Sequence, residues 1–203
     1  MILLAIPTTR AKIRETLSYT YVHLSGKATK PFPNLDTSSL NETQRKIVHI
    51  AQTEYANKPV SYDNSVLKYS EDNKEAWRAD FTIWVIKEAG VPYSNPNSGH
   101  WRTPGVFTLR EYYQSTDRYV VANSDYIPPL GDVAICVGDK TPDGRSRQYA
   151  SIVLNVDKNN MVTIGDNERG RMRVSTQTLK GNSNGLVDFD TLLKQDGKYA
   201  KTN

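Results

Sequence analysis

The chain has 203 residues, of which 24% are charged and 37% hydrophobic, and it carries a net charge of +4 with a pI near 9.0. That composition reads as one globular core of ordinary size. The mild positive charge is far below the density of a dedicated nucleic-acid binder. No apolar run approaches the ~20 residues needed to cross a bilayer. The single cysteine, Cys136, excludes an intramolecular disulfide and a thiolate metal cluster.

Residues 1–40 read as an amino-terminal arm or docking segment. Within it, Arg10 to Leu24 suits a short helix with Ile13, Leu17 and Tyr21 on one face, while Tyr19 to Val22 suits a strand equally well. Lys30-Pro31-Phe32-Pro33-Asn34 is a linker by its prolines. A domain then spans residues 41–195, followed by a tail over 196–203. Its first helix carries Ile47, Ile50, Ala51 and Tyr55 as a stripe, with Asn41 as the cap and Asn57-Lys58-Pro59 as the stop. A polar loop follows from Pro59 to Asn73.

The core helix is expected over Ala76 to Gly90. Trp77, Phe81, Trp84, Val85 and Ala89 recur at helical steps, and two tryptophans with a phenylalanine bury a large apolar area. Asp72 or Asn73 is expected to cap it, Lys87 lies in the last turn, and Gly90 supplies a left-handed stop before Pro92. After a polar loop from Tyr93 to His100, Thr103 is expected to cap a further helix from Pro104 to about Tyr113. Gly131-Asp132 makes a tight entry to a strand containing Val133 to Val137. Gln148 to Val156 reads as a buried strand, Asn159-Asn160 as a hairpin turn before Met161 to Ile164, and Arg171 to Ser175 as another strand. Helices followed by antiparallel strands make the fold class α+β, with helices packed on a small antiparallel sheet.

Four of these segments resemble the motifs of the CHAP and NlpC/P60 superfamily of papain-like peptidoglycan amidases and endopeptidases. Ala76-Trp77-Arg78-Ala79-Asp80-Phe81 through Ala89-Gly90 is similar to the helix that carries the family's nucleophile, with Arg78 where the family has cysteine. Ile127 to Asp132 resembles its turn into the first core strand. Tyr149-Ala150-Ser151-Ile152-Val153 stands where the family reads His-Val-Gly-Ile-Val, and Ile164-Gly165-Asp166-Asn167 where it often reads Glu-Gly-Asn. The resemblance covers about residues 40 to 190 and implies a papain-like fold.

Two of the three catalytic positions are therefore changed. An arginine stays protonated in water and is no nucleophile, and a phenol of ordinary pKa ~10 is a poor base at neutral pH. Asn167 survives as the third. The implied function is a catalytically inactive module that binds or builds, either a phage tail or baseplate component or a cell-wall binder. The alternative is an active peptidoglycan hydrolase with non-standard catalytic residues.

Candidate binding residues are Arg78, Tyr149, Asn167, Asp80, His100 and Trp101. Arg78 can pair with an acid, lie over Tyr149, or grip a wall-peptide carboxylate through its planar fork. Asp80 is expected to tie down a neighbouring loop by hydrogen bonds. Cys136 reads as a small buried hydrophobe, His49 as an edge-of-core residue, and His23 as part of the arm. Asp166 and Glu168 read as solvated carboxylates in a turn. The scattered histidines and the lack of a phosphate loop imply no metal and no cofactor.

Expected partners are peptidoglycan or wall peptides, and other virion proteins through residues 1–40. A nucleic-acid role for Arg169-Gly170-Arg171-Met172-Arg173 is disfavoured because no aromatics interleave. Met1 to Ile6 is too short for a secretory leader's apolar region. A virion or bacterial-surface location would then need a particle, lysis or a removed leader, with a cytoplasmic location left open.

Overall fold

The computed structural model describes residues 30–59, 64–75, 77, 79–103, 105–121, 126–140, 146–157, 160–166, 171–178 and 187–193. Helix α1 (Glu42–Asn57) opens the described domain. Its start is closed on both sides: the Asn41 side chain accepts from the Gln44 N–H at 2.9 Å, and the Gln44 side chain accepts from the Asn41 N–H at 3.1 Å. That reciprocal cap satisfies two backbone donors that the helix cannot satisfy itself. Gln44 also donates to the Leu130 carbonyl at 3.0 Å, which pins α1 to the turn before the sheet. Lys58, with φ 50°, ends the helix in the left-handed conformation.

The core helix is α2 (Asp80–Glu88), one turn shorter than its apolar spacing predicts. Neither Asp72 nor Asn73 caps it. The residue before its first turn is Ala79, which offers no capping side chain. Asn73 instead closes the preceding turn, its amide donating to the Ser70 carbonyl at 2.8 Å. Glu71 and Asp72 in that turn hold φ of 52° and 63°, a conformation that breaks helical continuation. Gly90, with φ 92°, supplies the expected stop.

Phe81, Ile83, Val85 and Ile86 are all fully buried, and Trp77 is buried just ahead of the helix. The ring of Tyr69, in the short 3-10 turn Leu67–Tyr69, sits 5.6 Å from Trp77, 5.4 Å from Phe81 and 5.1 Å from Trp84. Its hydroxyl donates to Glu54 of α1, which also pairs with Lys68 at 2.7 Å. A buried carboxylate is thereby matched by a cation and a phenol.

Helix α3 (Val106–Ser115) starts two residues after the expected Pro104, with Gly105 at the cap position. Thr103 does not cap it; its buried hydroxyl has no hydrogen-bond partner. Val106, Leu109 and Tyr113 face inward at helical steps.

Among the described residues, six strands form one antiparallel sheet: β1 (Tyr119–Val121), β2 (Val133–Lys140), β3 (Ser146–Asp157), β4 (Asn160–Asp166), β5 (Met172–Thr178) and β6 (Val187–Leu193), in the order β1-β6-β2-β3-β4-β5. The class is α+β. Strands β2 to β5 follow the sequence reading, with Asn160 inside β4 opposite Asp157 rather than in the turn. Strands β1 and β6 were not expected, and β6 inserts between β1 and β2.

Alternation along the strands divides the sheet into two faces. Val133, Ile135, Ala150, Ile152, Leu154, Ile164 and Val174 join the helices in the main core. Ala134, Tyr149, Val153 and Met161 form a second apolar cluster on the other face. Among the described residues no helix is long and apolar enough to cross a membrane.

Candidate functional site

Asp80 is the first residue of α2 and its side chain is fully buried. A carboxylate at a helix start is favoured by the helix dipole, yet burial away from water costs it its hydration. The chain brings a cation to meet it. The Nε of Arg102 lies 3.2 Å from Asp80 Oδ1, and its Nη2 pairs with Glu75. Neither oxygen of Asp80 has an aligned hydrogen-bond donor. Asp80 therefore ties down a loop as expected, but through charge and not through hydrogen bonds.

Arg102 is positioned by a turn of its own loop. Asn95 accepts backbone bonds from Gly99 at 2.7 Å and donates its own N–H to the His100 carbonyl at 2.8 Å. Its side-chain amide donates to the Arg102 carbonyl at 2.8 Å. Gly99, with φ 70°, makes the reversal possible. The neighbours of Arg102 are engaged as well. Trp101 Nε1 donates to Glu71 at 3.1 Å, His100 Nε2 lies 3.6 Å from the same carboxylate, and Lys87 Nζ sits 4.9 Å from the Trp101 ring centre.

Burial, and then the Glu71 charge, raise the Asp80 carboxyl to about 7. Burial lowers the Arg102 guanidinium, with Glu71 acting in the opposite sense. One guanidinium thus faces two carboxylates in contact and a third nearby, and the buried one is the least able to hold its charge.

The structure brings three of the six candidate residues into one cluster: Asp80, His100 and Trp101 meet through Arg102 and Glu71. Tyr149 is 8% exposed and packs with Ala134, Val153 and Met161, on the face opposite Ala150. On the Ala150 side, the Thr82 hydroxyl of α2 donates to the Ala150 carbonyl at 3.0 Å. Arg78, Asn167, Glu168 and Arg169 lie outside the described residues, as do His23 and the side chains of Cys136 and Asp166. His49 is exposed on α1, which corrects its expected place at the core edge. Among the described residues no group of three histidine, cysteine or acidic side chains is arranged to hold a metal.

Arg102, Glu71 and Glu75 were not singled out from the sequence. The stretch Ser70 to Glu75 reads as part of a polar loop, but nothing local reveals that Glu75 pairs with Arg102 and that Glu71 meets Trp101 and His100.

The approach to the sheet is fixed by the Gly131-Asp132 turn. Gly131, with φ 97°, donates to the Val153 carbonyl at 2.9 Å, and Val153 donates back to the Asp132 carbonyl at 2.8 Å. The buried Asp132 carboxylate accepts from the Tyr126 hydroxyl at 2.5 Å. Burial, then that bond, push the Tyr126 phenol up, so it stays a donor. Compared with family models, curated proteins and solved structures, the chain matches none.

Proposed function

We propose that this chain is a CHAP- and NlpC/P60-like domain of papain-like fold that has lost hydrolysis and works as a binding or structural module. Two settings fit it, a phage tail or baseplate and a protein that binds the bacterial cell wall. The observation that carries the reading is in the sequence. A segment otherwise similar to the family's nucleophile helix has Arg78 at the cysteine position, and the matching histidine position is Tyr149. The first side chain cannot attack a carbonyl and the second cannot serve as its base at neutral pH.

The α+β architecture supports this reading, since a buried helix packed against an antiparallel sheet is what such a domain requires. The role of Asp80 supports it too. That residue of the motif is engaged by Arg102 in holding the fold together.

A zymogram on purified peptidoglycan tests the loss of chemistry. The expected result is no clearing. Clearing that disappears on changing Asn167 or Cys136 would establish the alternative, an active hydrolase with other catalytic groups. Co-sedimentation with insoluble wall then separates a binder, which pellets, from a scaffold, which stays in the supernatant.

A further inference from the structure

We draw no further inference here: the strongest candidate, the half-buried patch on the outer side of α2 formed by Trp84, Lys87 and Trp101, carries nothing, because each indole already lies under a lysine ammonium and nothing in the structure shows what else would cover it.

Discussion

At the scale of single residues, the Asp80–Arg102 contact is where the fold has most to lose. Arg102→Met would leave a buried carboxylate facing Glu71 with no cation in contact. Breaking a buried pair from one side is expensive, so this change should destabilise the protein by about 3 kcal/mol at pH 8, read by urea unfolding. Adding Asp80→Asn should recover most of that loss, because the uncompensated charge goes with it.

The pH dependence has a definite sign. Asp80 rises from 3.8 to about 7 on folding, so the folded state holds a proton that the unfolded chain has released between those values. The contribution of Asp80 is fully present below about 3.8 and is lost as pH rises through about 7. Wild type should therefore lose more thermal stability between about pH 5 and 8 than Asp80→Asn does, a difference of about 2–4 kcal/mol. A parallel pair of pH profiles would contradict this.

Gly165 shows a different constraint. A Cβ there would meet Ser151 Oγ at 2.2 Å, Ser151 Cβ at 2.8 Å and the Ala150 carbonyl at 2.9 Å. Gly165→Ala should cost about 1–3 kcal/mol by unfolding. Ser151→Gly should restore only part of it, since the backbone carbonyl remains.

At the scale of elements, what the sequence revealed depended on whether the signal was local. The start of α1 was legible because Asn41 stands directly before the apolar stripe that includes Ile47. Asn41→Ala removes the cap's acceptor and should lower stability by about 1 kcal/mol, with the loss visible in hydrogen exchange over the first turn. The end of α2 was legible because Gly90 adopts the positive φ that its position implies. Its start was not. Trp77 continues the apolar spacing into a stretch where the chain is still turning, and left-handed Glu71 and Asp72 carry no sequence mark of that conformation.

Strand β6 was missed for the same reason on a larger scale. It is stabilised by pairing with β2 and β1, far away in sequence, and a short segment containing Asp188 and Asp190 has little strand signal of its own. The Arg102–Asp80 contact belongs to the same class, a long-range meeting that one sequence does not announce. Tyr149 was legible as a strand residue, but the face it occupies follows from register.

At the scale of the whole molecule, the order of helices before an antiparallel sheet was readable, and α+β describes the structure. The proposed papain-like identity rests on motif resemblance, and fold alone transfers function poorly. The chemistry makes the proposal specific: a guanidinium at position 78 and a phenol at position 149 cannot carry out acyl transfer between them. Such a module would contribute by holding wall material or neighbouring proteins in place.

The most direct measurement is mass spectrometry of the supernatant after prolonged incubation of the protein with purified bacterial sacculi. The account predicts no muropeptide release above that of sacculi alone. Release that increases with time and with protein concentration would contradict it.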